Sequence, residues 1–209
     1  MNIIYKIINK INCLLLKMKN RGVFHFKYLV VTKVKLENKG ENNIIEFGNH
    51  CQIKNCVFKF YGSNNIVKIG ARTEMSGITF WIGDDGNNIT IGNDAWFLGG
   101  ELAALEGTSI KIGDNCMFSH GLLVRTSDSH SILDFNGKRL NNAENIYIGN
   151  NVWIGTEVLI LKGASIGDHC VVGARSVVTS STPHMNNCIV CGIPCKIVKE
   201  NTTWDIERL

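Results

Sequence analysis

Six histidines and eight cysteines are the residues of this 209-residue chain best suited to proton transfer, nucleophilic attack or metal binding. His130 stands apart from the others. It lies in a polar stretch, Arg125-Thr126-Ser127-Asp128-Ser129-His130-Ser131, with Asp134 and Glu144 further along. An imidazole has a reference pKa of about 6.5, so near neutral pH it can take a proton from a hydroxyl and make that oxygen a nucleophile. A carboxylate can hold such a ring in one tautomer. Asp128, Asp134 and Glu144 are all candidates for that role, and Asp128 is taken with His130 as the catalytic set. His120 is a second candidate base. Cys188-x2-Cys191-x3-Cys195 has metal-like spacing, but no second paired motif completes four ligands, so no metal is expected.

The elements that must position these residues show in a repeat. An aliphatic or aromatic residue followed by Gly recurs at Phe47-Gly48, Ile69-Gly70, Ile91-Gly92, Ile112-Gly113, Ile148-Gly149 and Ile166-Gly167, usually with Asn or Asp behind it. The separations are 22, 22, 21, 36 and 18 residues. Six residues after each anchor stand Ile53, Met75, Phe97, Phe118, Ile154 and Val172, all large and apolar. A period of six within a super-period of 18 describes an all-β coil of three short strands stacked on its own copies. At about 4.8 Å per coil, six coils make a prism roughly 29 Å tall. The slot four past the anchor (Cys51, Thr73, Ala95, Cys116, Val152, Cys170) should point inward, which makes those cysteines packing residues. His50 and His169, one residue earlier, should face outward. The slot twelve past the anchor reads Trp81, Ala103, Val124, Ile160 and Val178 and is expected inward, with Lys59 breaking it in the first unit. Extra residues of the longer units are assigned to corners such as 62–65 and 84–87. Corner glycines are attributed to backbone angles that branched residues resist.

The 36-residue interval holds a stretch without the repeat, about 126–145, and it carries His130. Long excursions from a compact domain are usually functional. Trp153 sits five past its anchor and should point outward, which suits an interface or a sugar cleft. Ile3, Ile4, Ile7, Ile8, Ile11, Leu14 and Leu15 have helical spacing, so the first twenty residues read as an amphipathic helix packed on the domain or a partner. A basic helix resting on a membrane surface is the lesser reading. The resulting division is 1–43 for helix and lead-in strand, 44–182 for the coil domain with its loop, and 183–209 for a C-terminal tail. A net charge of +4 is too mild for nucleic acid. The 44% hydrophobic content excludes wholesale disorder, and its dispersion excludes a spanning helix. With no small-residue cleavage site in 1–20, the thiols are expected reduced and the chain cytoplasmic.

Three runs carry a resemblance: IGNNVWIGTEVLILKGASIGD (148–168), VVGARSVVT (171–179) and CGIPCKIVK (191–199). With the Arg125–Ile132 stretch, they resemble the left-handed β-helix, hexapeptide-repeat acetyltransferases, in the branch that O-acetylates capsular and other surface polysaccharides, sialic acid polymers among them. The resemblance covers roughly 45–205, and the left hand of the coil comes from it alone. It implies acetyl-CoA as donor, a sugar or polysaccharide acceptor, a homotrimer with sites between subunits, and no nucleic-acid partner. It puts the catalytic base at His130 and Trp153 in the active site. Thr156, Ala174 and Thr179 match coenzyme contacts, Lys196 and Lys199 match basic residues near its phosphates, and Lys162 is possible on the same grounds. Arg175 departs from a frequent Gly, Ser180-Ser181 from Lys-Asp and Cys195 from Ala; the first two bear on coenzyme contacts. The expected activity is direct acetyl transfer to a sugar hydroxyl, the oxyanion met by a backbone N–H of the Trp153–Thr156 corner. Two alternatives remain: a zinc carbonic anhydrase on the same coil with His120, His130 and His169 as ligands, and a non-catalytic scaffold.

Overall fold

A computed structural model describes residues 24–25 and 28–207. The amphipathic helix expected over the first twenty residues lies outside them. The described chain is built of strands and turns, and three sheets form the faces of a prism. The first face stacks Phe24–His25, Ile44–Phe47, Ile66–Ile69, Asn88–Ile91, Ser109–Ile112, Ile146–Ile148 and Ser165–Ile166. The second stacks Val30–Thr32, Gln52–Lys54, Glu74–Ser76, Trp96–Phe97, Met117–Phe118, Trp153–Ile154, Val171–Val172 and Cys188–Cys191, with Lys196–Glu200 returning antiparallel at its edge. The third stacks Lys35–Asn38, Val57–Phe60, Ile78–Ile82, Gly100–Ala104, Leu122–Arg125, Leu159–Leu161 and Val177–Val178. Pairing thus runs beyond 44–182 on both sides. The earliest coil lacks the anchor motif in its sequence: no aliphatic or aromatic residue followed by Gly stands between Phe24–His25 and Val30–Thr32.

The inward slots stack in register. Ile53, Met75, Phe97, Phe118, Ile154 and Val172 are Cα partners from coil to coil, all buried. Phe97 lies flat on Phe118 at 4.2 Å between ring centroids, and Phe58 on Phe80 at 4.5 Å. Cys51, Cys116 and Cys170 are buried, as their slot predicts, and each thiol meets a carbonyl of the next coil, at 3.0 Å for Cys51 and Gly70. Burial pushes the Cys116 thiol up to about 12, so it stays protonated at neutral pH.

The first corner explains the Gly-Asn/Asp motif, and differently from the sequence reading. The anchor glycines are not in left-handed backbone; positive φ falls two residues later, on His50, Arg72, Asp94, Asn115, Asn151 and His169. Gly is required because coils nearly touch there. A side chain on Gly70 would collide with the backbone of Gly92, and one on Gly149 with Asp168. The Asn or Asp that follows ties the coils together. Asn93 Oδ1 accepts the Ala71 N–H, Asp114 Oδ1 the Asn93 N–H, and Asn150 Oδ1 the Asp114 N–H, at 2.8, 2.6 and 2.9 Å.

The second corner corrects one slot. In the longer coils the inward residue of the third face comes eleven past the anchor, at Phe58, Phe80 and Leu102, which continue in register into Val124, Ile160 and Val178. The chain turns at Asn55, Gly77 and Gly99 two residues after the second-face slot, but at Gly121, Glu157 and Arg175 three residues after it. Lys59 and Trp81 therefore point outward. Ala103 shares their outward rung, though it is fully covered. At the third corner the inserted residues 62–65 and 84–87 turn inward a buried ladder of Asn43, Asn65 and Asn87, with Asn65 Oδ1 accepting the Asn87 N–H at 2.7 Å.

Phe80→Ala should cost about 3–5 kcal/mol of unfolding free energy, whereas Trp81→Ala should cost about 1 kcal/mol. Chemical denaturation of the two variants checks that reassignment.

Candidate active site

The asparagine ladder of the third corner ends where the excursion begins. Thr108 takes over from Asn87 and donates its hydroxyl to Thr126 Oγ1 at 2.6 Å, and Thr126 Oγ1 also accepts the Leu105 N–H at 3.0 Å. The loop is thus rooted in the prism interior by a buried Thr126 and Ser127. It then folds on itself. Asp134 Oδ1 accepts the N–H groups of Asn136 and Lys138 and shapes a hairpin tip, and Leu133 bridges Arg139. Asn141 is the internal clamp: its Nδ2 donates to the His130 carbonyl at 2.8 Å and to Asp128 Oδ2 at 2.7 Å, and its Oδ1 accepts the Ile132 N–H at 2.7 Å.

Two ion pairs pin this loop to the coils. Arg139 grips Glu106 with both guanidinium nitrogens, at 2.5 and 2.9 Å, while Ser127 donates to the same carboxylate. Lys162, one coil further on, donates to Asp128 Oδ2 at 2.6 Å. The Arg139 guanidinium, with help from Ser127, holds the Glu106 carboxyl below its ordinary value. The Lys162 ammonium, then Asn141, does the same for Asp128.

Between loop and prism opens a cleft of ≈ 710 Å³. Tyr61, Trp81, Gly83, Leu105 and Arg125 of the prism line one side, and Ser129, His130, Ser131 and Arg139 of the loop the other. His130 is exposed here, and among the described residues its ring makes no hydrogen bond or ion pair. The carboxylates expected to orient it are otherwise placed: Asp128 is held by Lys162 and Asn141, Asp134 serves its own turn, and Glu144 lies against Gly163.

The remaining candidates gather on the opposite edge of the third face. Thr156 and Ala174 sit at the second corner of successive coils, directly in line with His120, and are exposed. Glu157 donates its N–H to the His120 carbonyl and Arg175 to the Thr156 carbonyl, each at 2.8 Å. The Trp153, Gly155 and Glu157 N–H groups are engaged by neighbouring coils; among the described residues the Thr156 N–H makes no bond. Gly173 lies against Cys191, and Lys196 pairs with Cys191 across the antiparallel turn, so Lys196 stands at the far end of that ledge. Lys199 is exposed on the same strand. Arg175 turns outward to Glu157 at 2.7 Å, and the Thr179 hydroxyl meets Ser181 at 2.8 Å beside the loop edge. Trp153 points outward on the second face, 6.0 Å from Trp204 of the tail, whose indole N–H caps the Asn151 carbonyl.

Sequence reasoning missed Tyr61, Trp81, Glu106, Arg139 and Asn141. Trp81 was hidden by the slot error, although the alternation Phe80-Trp81-Ile82 and Phe58-Lys59-Phe60 marks the middle residue as outward. Glu106, Arg139 and Asn141 carried no local signal, since their partners are 33 and 13 residues away.

Residues 145–180 match the family model described as "Bacterial transferase hexapeptide (six repeats)". The polysialic acid O-acetyltransferase of Neisseria meningitidis is 36% identical over 184 residues, spanning 79% of this chain and 76% of that protein. The chain belongs to the hexapeptide-repeat O-acetyltransferases. The polysialic acid O-acetyltransferase of Escherichia coli O1:K1 is 34% identical over 120 residues, 57% of this chain but 38% of its own length. The crystal structure of the polysialic acid O-acetyltransferase OatWY superimposes with a TM-score of 0.82 at 29% identity, covering 91% of this chain and 92% of that one. The histidines of the zinc alternative do not converge within one chain: His120, His130 and His169 stand at three different corners. Among the described residues no helix is long and apolar enough to cross a membrane.

Because Glu106 and Asp128 titrate below their ordinary values, their anchoring is complete above those values and is lost as pH falls through the folded-state ones. Amide exchange of residues 127–141, measured relative to the coils, should therefore rise on acidification and not on going from neutral to alkaline pH. Glu106→Gln should produce the same loosening at neutral pH.

Proposed function

We propose that the chain transfers acetyl from acetyl-CoA to a sugar hydroxyl of a surface polysaccharide, with His130 as general base. One observation carries the reading: the histidine that lies off the repeat stands on an anchored loop at the mouth of an aromatic-walled cleft, in a chain whose relatives include polysialic acid O-acetyltransferases. An aromatic wall suits the apolar face of a sugar ring. Acetyl-CoA supplies an activated thioester. His130 takes the acceptor hydroxyl's proton as the oxygen attacks and returns it to the departing sulfur. The Thr156 N–H is the donor for charge developing on the carbonyl oxygen. Asp128 acts on the loop through Lys162 and Asn141, as a positioning residue.

The coenzyme fits the second-corner ledge, where Thr156 and Ala174 leave room for a narrow arm and Lys196 and Lys199 supply cations for its phosphates. Lys162 is engaged by Asp128, Arg175 by Glu157, and Thr179 lies at the loop edge; these three would meet the donor only from across the interface. His130 and the ledge occupy opposite edges of one face, so a complete site takes the loop edge of one copy and the ledge, with Trp153 beside it, of the next. That requirement supports a homotrimer closed head to tail. The hairpin supports it too, since Ile132, Leu133, Phe135 and Leu140 stand exposed on a single chain. The seven free thiols among the described cysteines, and a donor made in the cytosol, favour cytoplasmic work.

His130→Ala should lower acetyl transfer about 10²- to 10⁴-fold with the melting temperature unchanged; full retention of activity would remove His130 from the role. Light scattering should give three times the chain mass, and Phe135→Asp should reduce it. A monomeric wild type with full activity would sink the shared-site arrangement.

A further inference from the structure

Trp153 stands on a row of outward second-face residues that stays apolar for five coils: Trp96, Met117, Trp153, Val171 and Ile189, each the Cα partner of the next. Its strand, Trp153–Ile154, is only two residues long and is entered through Asn151 in left-handed backbone. On the second-corner side of Trp153 lies the ledge of Thr156 and Ala174. On the first-corner side lies the C-terminal tail.

Hydrogen bonds set the course of that tail. Lys196–Glu200 reverses against Cys188–Cys191, and the chain then runs back along the first corner. The Thr202 N–H donates to the Asn187 carbonyl at 2.9 Å, and the Trp204 indole N–H donates to the Asn151 carbonyl at 2.7 Å. Asn187, His169 and Asn151 are equivalent corner positions of successive coils, all at positive φ, so the tail descends past two coils between these bonds. The half-buried Trp204 ring lies 6.0 Å from that of Trp153, tilted by 48°. Beyond it, between residues 203–206 and the Trp96 and Met117 side chains, opens a cleft of ≈ 570 Å³. Among the described residues Trp204 lines this cleft and Trp153 does not, so the Trp204 ring is the partition between the two.

Two observations separate this contact from simple cover of an apolar face. Trp96 is left 43% exposed, more than Trp153 at 38%, although the tail passes close to it. The one polar anchor of the Trp204 side chain is instead placed on Asn151, two residues before Trp153. An indole with open space beside it samples several rotamers, and a ring that must meet a ligand in one orientation pays for that freedom in ordering entropy.

We infer that Trp204 is a positioning residue: it closes the first-corner side of Trp153 and holds that indole toward the ledge, where it meets the acceptor. The inference rests on the acetyltransferase reading, in which Trp153 belongs to the shared site, and deepens it by giving the tail a part in the reaction. Trp204 itself touches neither donor nor acceptor.

The test uses the full-length protein with acetyl-CoA and oligomers of sialic acid. Trp204→Ala should lower kcat/KM for the acceptor about tenfold and leave the KM for acetyl-CoA within about twofold, since the ledge is untouched. Trp204→Phe keeps a ring against Trp153 and should stay within about threefold of the wild type. Trp153→Ala should be impaired at least as much as Trp204→Ala. Adding Trp204→Ala to it should cost almost nothing more, because the ring to be positioned is already gone. Circular dichroism and light scattering report fold and assembly, and Trp204→Leu takes the place of Trp204→Ala in every comparison if the alanine chain fails to assemble. A fully active Trp204→Ala enzyme, a phenylalanine variant as impaired as the alanine one, or a double variant that loses the product of both single factors overturns this inference alone. An unimpaired Trp153→Ala enzyme removes Trp153 from the site, and the inference with it. Absence of transfer by the wild type, to these oligomers and to neutral surface oligosaccharides alike, overturns the parent reading.

Discussion

Each coil of this protein is held by the coil above and the coil below through backbone hydrogen bonds at one fixed register. Among the described residues the parallel strands find their partners in other coils, with only Lys196–Glu200 folding back on Cys188–Cys191: Ile44 N–H bonds to Asn65, Asn88 N–H to Thr108, Trp153 N–H to Cys170. Everything else follows from that spacing. Stacked backbones forbid a side chain at the anchor glycines, which is why Gly recurs there. Identical inward side chains must lie on one another, as Phe58 does on Phe80. Polar groups turned inward at a corner are met by their counterparts in the next coil and by corner carbonyls, as in the Asn43–Asn65–Asn87 ladder. Repeat architectures of this kind draw their stability from such nearest-neighbour interfaces.

The same constraint shapes the site. A loop inserted into a stacked coil must leave and return without breaking the ladder, and Thr126 does this by standing in for the asparagines while its carbonyl accepts the Glu144 N–H. Because the loop emerges at the third corner, it overhangs the outward rungs of earlier coils, so residues 22 or more positions apart share one cleft. The carboxylates around it are employed as struts. Glu106 and Asp128 hold Arg139 and Lys162, which leaves the His130 ring exposed and, among the described residues, without a hydrogen-bond partner.

Much of the fold could be read directly, because a stacked coil makes contact order and sequence period the same thing. The anchors, the six-residue slot and the inward cysteines all stood where the structure has them. The error at Trp81 and Lys59 has a local cause: Gly77 and Asn55 turn the chain one residue earlier than Glu157 and Arg175 do. A slot counted across that corner slips by one, and in a strand one residue reverses the direction of the side chain. The loop was legible as a gap in the pattern, with His130 inside it. Its ties, Arg139 to Glu106, Lys162 to Asp128 and Asn141 to three loop groups, were not, since they join segments with no common period.

The sequence alone therefore determined the coil, its core slots, the position of the excursion and the identity of its histidine, because each is written in local spacing. Tertiary structure decided which outward residues share the cleft, which charges are already paired, and that the candidate donor ledge lies across a face from His130. Those are relations between coils, set by the corner lengths and by side chains reaching over one or two rungs. A period of six residues specifies which residues stack, but a single residue gained or lost at a corner decides what faces the ligand.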